Sequence, residues 1–248
     1  MTDVLSPEII AHRAFTPEAI DEAAANGYVA ELDVRSTVYG ALLVVHGVDQ
    51  HGVENDSDPD AFVEVGDKLV RIATLTNRDR KAMRADGIDI PTFQEVREIV
   101  NDRVPLNIDS KDQIAGGMLL DKLGDDFEGI FCLGSFHEII TRKLRAGIPD
   151  GVPTALTLNE LFKIYLAKPE EEEALKQELP ANGRAQVPMV FGDIRVAEQA
   201  VVDKLHRLDV PADFWTVNDP RDWRKLVDLG VDGIITDDPN GLKSFIEQ

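Results

Sequence analysis

Two carboxylates stand two residues apart in Glu31-Leu-Asp33, and an acid and an amine repeat that spacing in Asp109-Ser-Lys111. Side chains alternate faces along a strand, so each pair projects to one side. Both pairs close a short apolar run, Val29–Asp33 and Leu106–Asp109. Acids buried side by side repel each other and are costly to strip of water. A hard divalent cation relieves that cost, and three carboxylates with water and a substrate oxygen suit Mg²⁺ or Ca²⁺. One such acid alone would more simply cap a loop or pair with Arg35. Glu31, Asp33 and Asp109 together point to metal binding.

Two histidines flank this cluster. His12, followed by Arg13, closes the first apolar run, and His46 closes the run ALLVV. Cleavage of a phosphodiester needs one group to activate the nucleophile and another to protonate the leaving oxygen. Histidine suits both roles because it titrates near neutrality. Lys111 and Arg13 are the cations at hand for phosphate oxygens. The bland alternative for Lys111 is an ion pair with Asp109 alone. His206 reads as structural, His137 as the start of a helix, and Cys132, inside FCL, as core packing.

The elements that must hold these residues follow a simple rhythm. Apolar runs at Ile9–Ala11, Val29–Asp33, Leu106–Asp109, Gly129–Leu133, Val152–Leu156, Val187–Phe191, Phe214–Val217 and Gly233–Thr236 read as strands. Most are continuously apolar, as strands buried on both faces should be. Helical segments alternate with them, among them Pro17–Asn26 with Thr16 as N-cap and Gly27 as its stop. Eight strand-then-helix units predict an α/β fold, a (β/α)8 TIM barrel. An open doubly wound sheet is disfavoured, because IIAHRAF carries no Gly-rich phosphate turn. In such barrels the site lies at the C-terminal ends of the strands, where the candidates fall.

Two stretches break the rhythm. Residues 34–90 exceed one loop and predict an insertion after the second strand, opening with a hairpin around Tyr39–Gly40. Its acidic part, within residues 47–67, reads as a flexible loop; His51, Glu54, Asp56, Asp58 and Asp60 match no calcium-loop spacing. Residues 169–183 read as a solvated helix with a loop.

The 248 residues suffice for one barrel domain over residues 1–248, and 43% apolar residues suffice for its core. The net charge of −20 argues against nucleic acid and anionic membranes as partners. No apolar run approaches the roughly 20 residues of a membrane helix, and MTDVLSPEII lacks a signal-peptide pattern. With one cysteine and no internal disulfide, a cytoplasmic protein acting on a small molecule is expected. The oligomeric state leaves no trace in the sequence.

Taken in order, these motifs resemble the glycerophosphodiester phosphodiesterase family. IAHRAF and then VAELDVRSTVYGALLVVHG resemble its N-terminal signature of His-Arg, Glu-x-Asp, a Thr-x-x-Gly turn and a second His. IPTFQEV, NIDSK and LGSFH are similar to its middle segments, and FWTVNDPRDWRKLVDLGVDGIITDDP to its C-terminal signature. The resemblance runs from Ile10 to Pro239. It implies a metal-dependent hydrolysis of glycerophosphodiesters to glycerol 3-phosphate and an alcohol. It implies His12 and His46 as the acid/base pair, with Lys111 supporting the chemistry. It implies Glu31, Asp33 and Asp109 as metal ligands, Lys111 and Arg13 on phosphate, and Trp215 in the pocket wall.

The chain departs from the family pattern in three places. The first loop, RAFTPEA, keeps only Pro17–Glu18 of a Pro-Glu-Asn-Thr motif. Gly47 follows the second histidine where Asp is usual, with Asp49 as a candidate stand-in, and the third carboxylate is Asp109 in place of Glu. A short first loop and an Asp-x-Lys strand also occur in sphingomyelinase D-type phospholipases of the same barrel class. A lyase that forms a cyclic phosphate, and a barrel that binds a phosphorylated ligand without turnover, therefore stand as alternatives.

Overall fold

The computed structural model describes residues 6–54 and 60–248, so Asp56 and Asp58 lie outside the described residues. Among these, eight parallel strands close into a barrel: β1 (Glu8–Ala11), β2 (Val29–Ser36), β3 (Leu106–Ser110), β4 (Ile130–Gly134), β5 (Thr154–Ala155), β6 (Gly183–Pro188), β7 (Ala212–Trp215) and β8 (Gly233–Thr236). Closure rests on β1, which pairs with β8 through Ala11 and Thr236 and with β2 through Ile10 and Val29. The outer layer is α1 (Pro17–Asn26), α2 (Phe93–Val100), α3 (Gln113–Leu123), α4 (Glu138–Ala146), α5 (Leu158–Leu166), α6 (Gln199–Arg207), α7 (Pro220–Leu229) and α8 (Pro239–Ile246).

Local chemistry sets the helix starts. The Thr16 hydroxyl accepts from the Ala19 N–H, Pro17 occupies the first turn, and Gly27 closes α1 at φ 74°. Thr92 with Glu95 and Thr157 with Glu160 form reciprocal capping boxes at α2 and α5. No helix of the described residues is long and apolar enough to cross a membrane.

The two faces of β2 show how strand periodicity places the site. Ala30, Leu32 and Val34 pack outward into the apolar layer shared with α1 to α4. Glu31 and Asp33 point the other way, into the mouth of the barrel. A one-residue slip would exchange the two sets, so the apolar layer fixes the register that presents the acids.

The sixth strand lies earlier than the run Val187–Phe191 predicts. It spans Gly183–Pro188, while Val190–Phe191 pairs with Ile194–Arg195 in a small hairpin outside the barrel. The reason is a polar layer inside the barrel, to which the alternate residues Arg184 and Gln186 contribute. Arg184 makes a forked pair with Asp213 at 2.8 and 2.7 Å, and Gln186 donates to Asn107 at 3.1 Å. The Arg184 guanidinium also sits 4.2 Å from the centre of the Phe131 ring. Burial pushes the Asp213 carboxyl above its ordinary range even against this pairing. Two polar residues in GRAQVP hide a strand from a search for apolar runs.

The insertion after β2 is present. Leu42–Val44 folds back antiparallel on Val34–Ser36, as the turn at Tyr39–Gly40 predicts. A second hairpin pairs Phe62–Val65 with Lys68–Arg71, and a helix at Asn77–Ala85 follows. These pieces bury their own small cluster of Leu43, Ala61, Val63, Ile72 and Leu75. Residues 169–183 carry a short helix, Glu172–Glu178, and the turn into β6.

Candidate active site

The ends of β1, β2 and β3 bring the candidates together. His12 follows β1, and its Nδ1 lies 2.6 Å from Asp237 Oδ1 while Nε2 lies 3.9 Å from Glu31 Oε2. Asp237 follows β8, so the contact exists only because the barrel closes. Asn218 donates to the other Asp237 oxygen at 2.6 Å. Burial alone would raise the Asp237 carboxyl, but the bonds from His12 and Asn218 hold it below its ordinary value.

Arg13 takes a left-handed backbone at φ 53°, uncommon for a residue with a side chain. That turn aims its N–H at Glu31 Oε2, 2.9 Å away. Its guanidinium lies 3.4 Å from Asp33 and grips Glu54 at 2.5 and 3.1 Å. Glu54, in the acidic part of the insertion, thus reaches the site.

Glu31, Asp33 and Lys111 are buried. The Lys111 ammonium sits between Asp33 Oδ1 at 2.9 Å and Asp109 Oδ2 at 2.6 Å. It therefore bridges two acids instead of serving Asp109 alone. Burial, and then the neighbouring Asp33 charge, push the Glu31 carboxyl well above its ordinary range. Burial acts the same way on Asp33, but Lys111, His46 and Arg13 together hold its carboxyl below its ordinary value.

Among the described residues no group of three His, Cys, Asp or Glu side chains stands arranged to hold a metal ion. The donor chemistry nonetheless fits a hard cation. Asp33 Oδ2 and Asp109 Oδ1 are buried without a hydrogen bond, and burial beside Asp33 disfavours an ionised Glu31 until a cation offsets it.

His46 lines the same cleft. Its Nδ1 lies 2.7 Å from the Gly47 carbonyl, which selects the tautomer with the proton on Nδ1. Arg35 donates from Nε to the His46 carbonyl at 2.6 Å and so holds this stretch from below. Gly47 has φ 84°, and an added Cβ would fall 2.6 Å from Ile72 Cδ1. That crowding explains glycine after the second histidine. Asp49, the candidate stand-in for an acid there, is not among the residues that line the cleft, and its Oδ1 accepts from the N–H groups of His51 and Val53.

The remaining candidates separate cleanly. Trp215 ends β7, lines the cleft and also packs on Ile10, Val29 and Ile235. His137 stands at the N-cap position of α4 without a side-chain capping bond, and His206 pairs with Asp232 at 2.8 Å on the outer face. Cys132 is buried, and burial pushes its thiol far up. Asp237 and Glu54 were missed. A signal for Asp237 existed, an acid at the end of the last strand, but its partner is 225 residues away.

A sequence profile of the glycerophosphoryl diester phosphodiesterase family matches residues 12–241. The chain belongs to this family. It is 27% identical over 225 residues to a glycerophosphodiester phosphodiesterase of Caldanaerobacter subterraneus, covering 88% of this chain and 85% of that protein. The crystal structure of a glycerophosphodiester phosphodiesterase from Thermotoga maritima superposes with a TM-score of 0.69 at 23% identity, covering 98% of each chain. A phosphodiesterase of Oleispira antarctica in complex with the product sn-glycerol-3-phosphate superposes at 0.65 with 17% identity, covering 98% of this chain and 97% of that one. These two likenesses show the family's barrel fold.

Proposed function

We propose that this phosphodiesterase-family barrel hydrolyses glycerophosphodiesters to glycerol 3-phosphate and an alcohol with the help of a divalent cation. The supporting observation is the setting of His12, whose ring lies between Asp237 and the Glu31–Asp33–Asp109 cluster at the cleft mouth. Asp237 holds the proton on Nδ1 and leaves the Nε2 lone pair directed to the cleft.

His12 Nε2 takes the proton of the attacking water, and Asp237 offsets the imidazolium charge that results. The water oxygen bonds to phosphorus as the bond from phosphorus to the alcohol oxygen breaks. His46, protonated, gives its proton to that oxygen. Lys111 and Arg13 hold the phosphate oxygens, and Trp215 walls the substrate. Glu31, Asp33 and Asp109 would hold Mg²⁺ or Ca²⁺, which when bound neutralises and polarises the phosphate.

Loss of either histidine is expected to lower kcat about 10²- to 10⁴-fold, the usual scale of acid–base catalysis. The test is a panel of glycerophosphodiesters assayed with Mg²⁺, Ca²⁺ or EDTA. Near-full activity of His12→Ala rejects the mechanism, and no turnover with any metal rejects the function. A cyclic phosphate as the final product would transfer the reading to ring closure by a substrate hydroxyl.

A further inference from the structure

The cleft does not end at the charged cluster. It continues as one space of about 730 Å³ that runs between α5 and α6 beneath the hairpin at residues 190–195. Leu158, Leu161 and Phe162 of α5, Phe191 and Ile194 of the hairpin, and Val201 of α6 line this arm. Phe162 and Phe191 meet edge to face, ring centres 6.1 Å apart, and tie the hairpin to the helix. Among the described residues, every charged residue in the cleft lining except Lys204 belongs to the cluster at the other end. Lys204 turns its ammonium to the Tyr165 and Ala167 carbonyls at 3.1 and 2.8 Å, away from a ligand role. Leu158 and Tyr165 remain 37% and 46% exposed at the outer edge.

A diester of glycerol with a small polar alcohol would occupy only the charged end. An apolar arm continuous with that end gains from a hydrocarbon chain, by at most about fourfold in affinity per buried methylene. The total space falls within the range of pockets that enclose a ligand of some tens of heavy atoms. We propose that the preferred substrate is a glycerophosphodiester bearing one long alkyl or acyl chain. The chain lies in the arm between α5 and α6, and the phosphate lies at Lys111 and His12. The phosphate end of this inference rests on the phosphodiesterase reading above; the arm itself does not.

Calorimetric titration of the intact protein with ethyl, butyl, octyl and dodecyl phosphate, each below its micelle concentration and with Mg²⁺ present, tests the arm without turnover. Kd is expected to fall with chain length, by at least about tenfold from ethyl to octyl. Leu158→Asp puts a charge in the arm at the first turn of α5, where a helix tolerates an acid. It should flatten the series, whereas Leu158→Met should keep it. Phe191→Ser, in the hairpin outside the barrel, is the second flattening variant should the first fail to fold. A flat series in the wild-type protein, or an unchanged slope in both flattening variants, overturns the inference. Turnover of a panel of glycerophosphodiesters, from glycerophosphocholine to chain-bearing ones, measured alongside, separates the two readings. Turnover with a flat series removes the arm and keeps the phosphodiesterase. A steep series without turnover of any diester does the reverse.

Discussion

Asp237→Asn is the sharpest probe of the site, because the surrounding hydrogen bonds dictate which way the new amide must face. The Asn218 carbonyl accepts from the Thr236 hydroxyl at 3.0 Å and from the Asp237 N–H at 2.9 Å. Its amide nitrogen is thereby locked toward residue 237, where it donates at 2.6 Å. An asparagine at 237 satisfies that donor only with its oxygen, which turns its own NH₂ onto His12 Nδ1. The His12 ring must then carry its proton on Nε2, and the lone pair leaves the cleft. Loss of a positioned base costs about 10² to 10⁴ in rate. The Asp237 side chain is 56% exposed, so the purely electrostatic part is screened and the low end applies. The expected loss is about 100-fold in kcat/KM, or about 2.7 kcal/mol of barrel-bound transition-state stabilisation. Adding Asn218→Asp reverses the donor–acceptor order. The new acid keeps both of its existing donors and accepts from the asparagine NH₂, whose oxygen again faces His12. Steady-state kinetics on glycerophosphocholine should show most of the activity restored in the double variant. An Asp237→Asn enzyme within threefold of wild type, or a double variant no better than the single one, refutes the tautomer argument.

Other consequences follow from the buried charges. Glu31→Gln removes an acid that its neighbours do not balance, while an amide oxygen can still accept from the Arg13 N–H. Its Tm without metal at neutral pH should exceed that of wild type, and the Tm gain on adding Mg²⁺ or Ca²⁺ should shrink; a scanning-calorimetry series with EDTA reads both. Glu95, joined to Thr92 and to Arg80, is held down to about 2 against the effect of burial. Because its folded value is depressed, its contribution is full above about 4.5 and is lost as pH falls toward 2. Glu95→Gln should therefore cost about 1 kcal/mol at neutral pH, given the exposure of the pair, and the gap to wild type should close across that acid window in denaturant melts. Arg184→Met strands the fully buried Asp213 and should cost about 3–5 kcal/mol in urea unfolding. Adding Asp213→Leu should recover most of it, and failure to recover would mean the pair packs rather than compensates charge.

Much of this architecture is legible along the chain, and the exceptions have physical reasons. Apolar runs mark strands whose outward faces meet helices, as at Leu32 and Ile108. The pattern breaks at β6, where Arg184 and Gln186 face a polar interior that no local pattern announces. Glu-x-Asp and Asp-x-Lys at strand ends are local features, because period-two geometry alone aims both members of a pair the same way. The capping threonines and Gly27 are local too, since they satisfy backbone groups within a turn or two.

Contacts across the barrel belong to a different class. Asp237 against His12, Glu54 against Arg13, and Lys111 between Asp33 and Asp109 depend on which strand ends become neighbours when the sheet closes. The apolar arm depends on two helices and a hairpin that no short motif connects. Periodicity and strand-end chemistry were fixed residue by residue along the chain. Which acid faces which base, and how far the cleft reaches beyond the charges, was decided by closure, because those distances arise only once residues some 40 to 225 positions apart share one mouth.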